Sequence, residues 1–182
     1  MRDKIISAAM ECFLAKGYHG TSVNELAEKC HIRKPSVFHY FNSKESIALE
    51  VIGYIQEHCN RFIFTYSENK STITDEKRAK SFLKALDQYF IRDPKSQLVG
   101  LLARELRSVS EVFEQPIQQY YDAWKDAIEI ILSPFHSKAE TKRLVRESLV
   151  QIHGTVLMAQ ILGDDEYLKN APKELEDLWL PE

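Results

Sequence analysis

Glycine and proline are scarce, six of each in 182 residues, and no stretch combines them into a low-complexity linker or a repeat. β-branched alternation is equally thin, so neither a sandwich nor a barrel is expected. No apolar run approaches the roughly 20 residues a bilayer-spanning helix needs, so no membrane partner is expected. The start, Met1-Arg2-Asp3-Lys4, carries an acid and leads straight into a periodic segment, which excludes the pattern of a secretory signal. Three cysteines, Cys12, Cys30 and Cys59, are odd in number and sit inside helical patterns, as suits reduced thiols in a cytoplasmic chain. There is no glycine-rich phosphate loop, no Cys-x-x-Cys pair and no His-x-x-x-His. The adjacent His58 and Cys59 would point to different sides of a helix and make a poor metal pair. No Ser/His/Asp set announces itself. No metal, no cofactor and no enzymatic activity is therefore expected.

The net charge of −3 is also the wrong sign for a nucleic-acid binder until it is divided along the chain. Residues 1–45 hold seven Lys/Arg against five Asp/Glu, so the basic excess is concentrated at the N-terminal end. Phosphate binding depends on where cations sit rather than on their total.

The rest of the pattern is helical, and an all-α fold is expected. A first helix runs from about Asp3 to Lys16 with Ile6, Ala9, Met10 and Phe13 on one stripe, and Gly17 supplies its C-terminal cap. Thr21 or Ser22 starts the second, with Glu25 three residues after Ser22 in capping-box spacing. Val23, Leu26 and Ala27 face inward. Cys30-His31-Ile32-Arg33 is the turn. Pro35 opens a third helix, where its missing N–H costs nothing. Val37 and Phe41 point inward on it, leaving Ser36, His39 and Tyr40 outward, and Ser43 caps a fourth helix. Phe13, Leu26, Ile32, Val37 and Phe41 close a compact three-helix head, the helix-turn-helix arrangement that lays one helix in the DNA major groove.

These residues carry a family resemblance. Ala9, Phe13, Gly17-Tyr18, Thr21-Ser22-Val23, Leu26-Ala27, Ile32, Val37-Phe38-His39-Tyr40-Phe41 and Ser43-Lys44-Glu45 closely resemble, in order and without gaps over about the first fifty residues, the TetR (AcrR-type) repressor signature. The resemblance implies a homodimer of helical subunits. It implies a DNA-binding domain over residues 1–46 and a helical body over 47–182 that dimerises and binds a small-molecule inducer. Double-stranded operator DNA would be the partner, read as two half-sites about 34–36 Å apart.

Lys34, Ser36 and His39 are the candidates for base contacts, with Lys34 able to donate to guanine O6 or N7. By the match to the family, Tyr40 contacts a phosphate and orients the helix. Phe38 stands where the family commonly has tyrosine, which removes a hydroxyl and keeps an apolar surface for a thymine methyl. Thr21, Ser22, Arg33 and Lys44 suit phosphate anchoring. Two departures stand out: His31 occupies the turn position usually given to glycine, and Arg33 the position of a Ser/Thr cap.

Beyond Ser46 only the architecture carries over. Helices are predicted near 44–67, 75–92, 95–109, 111–132, 138–162 and 165–179, with breaks at Asn69–Thr74, Arg92–Pro94, Ser133–Ser137 and Gly163–Asp165. Phe62, Phe90, Leu102, Phe113, Tyr120, Tyr121 and Trp124 are the candidate ligand-pocket residues, although an aromatic stripe at helical spacing also describes plain core. Arg104 and Glu105 read as a solvated or mutually paired face, and His153 as a satisfied core or interface histidine. Val145, Leu149, Ile152, Val156 and Ala159, with Leu175, Leu178 and Trp179, form the candidate dimer seam, a pattern that packing inside one subunit would share. Two other readings stay open. One keeps the DNA contact but is controlled by a protein partner. The other is a helical enzyme using the body pocket with a vestigial head.

Replacing Lys34 or His39 by alanine should weaken cognate DNA binding by about 1–3 kcal/mol and relax preference at one base pair if the lost contact is bidentate. Binding profiles across single-base operator variants test this, and an unchanged profile removes both assignments.

Overall fold

The structure is a computed structural model and describes residues 1–68, 73–106 and 109–180, among which every regular element is helical. The helices are α1 (Arg2–Lys16), α2 (Val23–Lys29), α3 (Lys34–Val37), α4 (Lys44–Cys59), α5 (Thr65–Glu68), α6 (Asp75–Leu86), α7 (Leu98–Leu106), α8 (Glu114–Leu132), α9 (Lys138–Leu162) and α10 (Glu166–Trp179). Wide π turns lie at Asn60–Phe64 and Asp87–Ile91, and 3-10 turns at Pro94–Gln97 and Glu111–Phe113. Most of the predicted break at Asn69–Thr74 lies outside the described residues. The chain divides into two compact units, one of residues 1–57 with 98–119, the other of residues 58–97 with 120–182.

In the first unit, Ile5, Ala9, Met10 and Phe13 of α1 close on Leu26, Val37 and Phe41, all buried; Ile32 is only half-buried. Gly17 ends α1 at φ 72, its N–H returned to the Phe13 carbonyl at 2.9 Å. Ser22 caps α2 by accepting the Glu25 N–H at 3.2 Å, and the Glu25 carboxylate pairs with Lys16 Nζ at 2.6 Å. His31 takes φ 58, the left-handed conformation that costs a non-glycine residue some strain. Helix α3 is shorter than its sequence suggests. After Val37 the chain tightens, with the Tyr40 N–H donating to the Val37 carbonyl at 2.9 Å, and Phe38–Tyr40 form a turn. Ser43 and Ser46 cap α4 reciprocally, Ser46 N–H to Ser43 Oγ at 3.2 Å and Ser43 N–H to Ser46 Oγ at 3.1 Å.

The α1–α2 loop is bolted from two sides. Lys44 Nζ donates to the carbonyls of Tyr18 (2.9 Å) and Thr21 (3.0 Å) and lies 4.0 Å from the centre of the Tyr18 ring. From α7, the Glu105 carboxylate accepts the His19 N–H at 3.0 Å and occupies the space a Cβ on Gly17 would need. Glu105 thus serves the loop as well as standing on the face it shares with Arg104. Phe113 adds its ring 6.4 Å from that of Tyr18.

In the second unit, α9 and α10 pack against each other and Trp179 is wholly buried, its indole N–H donated to Ser148 Oγ at 2.7 Å and its carbonyl 2.7 Å from His136 Nε2. The residues predicted for the dimer seam lie largely inside the single chain. Val145, Ile152, Val156, Ala159, Leu175 and Trp179 are buried in the core of their own chain, and Leu149 and Leu178 are half-buried. Helix α9 has a second apolar stripe that remains in the open: Val150 (71% exposed), Leu157, Met158, Ile161 (66%) and Leu162, with Gly154 among them meeting no neighbouring atom.

Lys44→Met keeps the aliphatic stem and the ring contact but leaves two carbonyls without their charged donor. It should lower the stability of the first unit by about 1–3 kcal/mol. Thermal unfolding followed by circular dichroism measures this; an unchanged midpoint would mean water replaces the ammonium at no cost.

Candidate nucleic-acid interface and ligand site

Of the seven cations in residues 1–45, five are engaged inside the unit. Arg2 pairs with Glu50, Lys16 with Glu25 and Lys29 with Glu11, while Lys4 donates to the Cys30 carbonyl and Lys44 to the loop. Arg33 and Lys34 have no partner among the described residues, and both are exposed at the start of α3. Immediately beyond them the surface carries Phe38 (44% exposed), His39 and Tyr40 (46% exposed), with Ser36 half-buried on the same short element. Unneutralised positive charge and exposed aromatic rings thus share one edge, the former suited to phosphate and guanine, the latter to base methyls and backbone.

Two predicted contacts fare differently. Thr21 is 2% exposed; its hydroxyl donates to the Gly17 carbonyl at 2.9 Å and its N–H to the Tyr18 carbonyl at 3.3 Å, so neither is free for a phosphate. Its role is to shape the loop. Lys44 has committed two of its three N–H donors to that loop. Ser22 remains exposed, though its oxygen serves the α2 cap.

The second unit gathers an aromatic cage around Trp124, which is wholly buried. The edges of Phe64 and Phe90 each meet it at 4.8 Å between ring centres, Tyr120 lies at 6.5 Å and His153 at 6.1 Å. His153 is further enclosed by Phe90 at 5.2 Å and Tyr121 at 5.5 Å. The two π turns supply Phe64 and Phe90. Four of the seven predicted pocket residues, Phe90, Tyr120, Tyr121 and Trp124, therefore come together. Phe62 instead stacks on Tyr89 at 4.8 Å, with His58 at 4.7 Å. Leu102 and Phe113 are buried residues of the first unit, where Phe113 supports Tyr18. Sequence reasoning missed Phe64 because the π turn shifts the helical phase by one residue between Cys59 and Thr65.

His153 is not the satisfied histidine its sequence context suggests. Its Nε2 is buried with no partner, and burial alone pulls its pKa down to about 4. Burial likewise pushes the Tyr120 and Tyr121 phenols up, and the Cys59 thiol, near Tyr120, to about 12. At neutral pH the cage is uncharged. All three cysteines are free and buried.

The family model for bacterial regulatory proteins, tetR family, matches residues 5–51. The HTH-type transcriptional regulator LmrA of Bacillus subtilis is 31% identical over 132 residues, covering 70% of this chain and 69% of its own. The biofilm operon icaADBC negative transcriptional regulator IcaR of Staphylococcus aureus is 25% identical, covering 69% and 72%. A solved TetR transcriptional regulator from Legionella pneumophila shares the fold with a TM-score of 0.82 at 17% identity, over 97% of this chain and 95% of that one.

Because His153 has a folded pKa below its unfolded value of about 6.5, the unfolded chain binds the extra proton. The stabilisation present above about pH 6.5 is lost as pH falls through about 4. In His153→Leu the loss of melting temperature between pH 7 and pH 5 should shrink; an identical acid profile would mean the imidazole does not titrate on unfolding.

Proposed function

Since this chain belongs to the TetR family of bacterial transcriptional regulators, we propose that it acts as a homodimeric repressor whose grip on a near-palindromic operator is released by a small molecule bound in the second unit. The observation that carries the DNA half is the pair Arg33 and Lys34, the cations of the N-terminal 45 residues left without a partner, set beside exposed Phe38, His39 and Tyr40. On so short an element few side chains can reach base edges. Specificity is then built from two copies, spaced by about one helical turn of DNA, or 34–36 Å.

The support for two copies is the open stripe Val150, Leu157, Met158, Ile161 and Leu162 on α9. Contiguous exposed apolar surface of this kind marks an interaction face, and a self-complementary pairing of α9 with its symmetry mate covers it. Gly154, with open space before it, lets the two backbones approach. In this reading the seam uses the outer stripe of α9, with the half-buried Leu149 and Leu178 at its margin. The support for the ligand half is the uncharged aromatic cage around Trp124. Lys34, Ser36 and His39 read bases; Arg33, Tyr40 and the remaining Lys44 donor hold phosphates.

Selection of DNA duplexes from a random pool by the purified protein, followed by salt titration of the winner, tests the reading. Enrichment of an inverted repeat bound by two chains or more is expected. A featureless pool, persisting after the protein has been unfolded and refolded to strip any carried ligand, would overturn it.

A further inference from the structure

Two side chains far apart in sequence grip the α1–α2 loop of the first unit. Lys44, the first residue of α4, donates to the Tyr18 and Thr21 carbonyls at 2.9 and 3.0 Å. Glu105, near the end of α7, accepts the His19 N–H on Oε2 at 3.0 Å, and its Oε1 fills the space in front of Gly17. All of these residues belong to the same compact unit. Tyr18 joins the two grips. It is buried, with its ring 4.0 Å from Lys44 Nζ and its hydroxyl beside the Glu45 carboxylate. Only residues 41–43 separate the exposed turn Phe38–Tyr40 from Lys44. The loop therefore sets where α4 begins, and the start of α4 sets where the aromatic turn ends. Lys44 lies within the stretch, residues 5–51, that the family model matches, whereas Glu105 lies far outside it.

We propose that Glu105 is a positioning residue for DNA binding: without touching DNA, its carboxylate fixes the α1–α2 loop in the form that lets α3 and the Phe38–Tyr40 turn meet the double helix. The inference rests on the reading of the first unit as the DNA-binding unit. A four-residue helix has no stability of its own, so its placement is inherited from its neighbours. The loop is shaped for this carboxylate. Gly17 stands at φ 72, which an L side chain rarely adopts, and a Cβ there would run into Glu105 Oε1. The glycine thus serves both the turn and the close approach of the acid. A charged acceptor holds a backbone N–H more strongly than a neutral one does. The same charge lies against the C-terminal end of α1, where the helix dipole disfavours an anion. For packing alone a neutral side chain would serve better, and the hydrogen bond to His19 is what offsets the repulsion.

The duplex selected from the random pool, titrated with full-length protein well below its melting temperature, tests this. Glu105→Ala should weaken binding about tenfold, the factor that one lost hydrogen bond gives. Glu105→Gln keeps an acceptor of the same reach and should bring affinity back to within about threefold of the unaltered protein. A purely structural role would lower the melting temperature of Glu105→Ala and leave the affinity of the folded protein unchanged, which overturns the assignment. Glutamine no better than alanine overturns it too, as do equal gains in both variants, the sign of an acid that merely repels phosphate. Gly17→Ala displaces the carboxylate from the other side and should repeat the loss. Combined with Glu105→Ala it should weaken binding by less than the product of the two single effects; losses that simply multiply overturn the coupling. If Glu105→Ala does not fold, Glu105→Gln against Gly17→Ala decides. In the DNA-free protein, hydrogen exchange at the His19, Thr21 and Ile47 amides, which bond to Glu105, Tyr18 and Ser43, should quicken in Glu105→Ala while α10 is unaffected. A protein that selects no duplex at all overturns the DNA-binding reading and this one together. Intact selection with unchanged exchange at Thr21 and Ile47 overturns this one alone.

Discussion

Helix α3 cannot hold itself. Four residues make hardly more than one turn, far below the length at which a helix is stable in isolation, so everything it presents to DNA must be positioned by what surrounds it. Val37 and Phe41 pin it from inside, and the turn before it is forced through a left-handed His31. The surroundings in turn depend on the α1–α2 loop, where Tyr18 is clasped by Lys44, Phe113 and the carboxylate of Glu105 beside it. A recognition element without stability of its own responds to any shift in its supports.

The charge distribution follows the same logic. Five cations of the N-terminal segment are spent on internal ion pairs or carbonyls, which fix α1, α2 and α4 to one another. Exposed ion pairs contribute little stability singly, but their pairing also removes those charges from competition for phosphate. Arg33 and Lys34 are left as a local positive feature in a chain whose total charge is negative. Net charge was therefore a poor guide to a DNA-binding family member.

Helix limits were legible wherever capping chemistry is local. Ser137 with Glu140 and the glycine at 163 bound α9 at Lys138–Leu162, the interval its pattern predicts. The head was legible for the same reason, its turns and inward residues being set by neighbours a few positions away. What could not be read was decided by distant partners. Thr21 looks like a phosphate anchor until the Gly17 and Tyr18 carbonyls take its donors. Glu105 looks solvated until it meets His19, eighty-six positions earlier. Helix α9 has apolar residues on two faces, and periodicity selects the face that its own chain covers. The buried polar atom of His153 left a faint trace as a lone imidazole beside glycine in an apolar helix.

The two π turns bear on how the chain tolerates change in length. Each is a helix that has absorbed one residue more than its regular repeat, without breaking. Loss of a single residue from Asn60–Phe64 or Asp87–Ile91 would therefore yield an ordinary helix and an intact chain. It would also rotate everything downstream on that helix by about 100°, taking Phe64 or Phe90 off the indole of Trp124. In these two segments a deletion too small to disturb secondary structure would rewrite the chemistry of the cage, whereas substitutions would alter it one wall at a time.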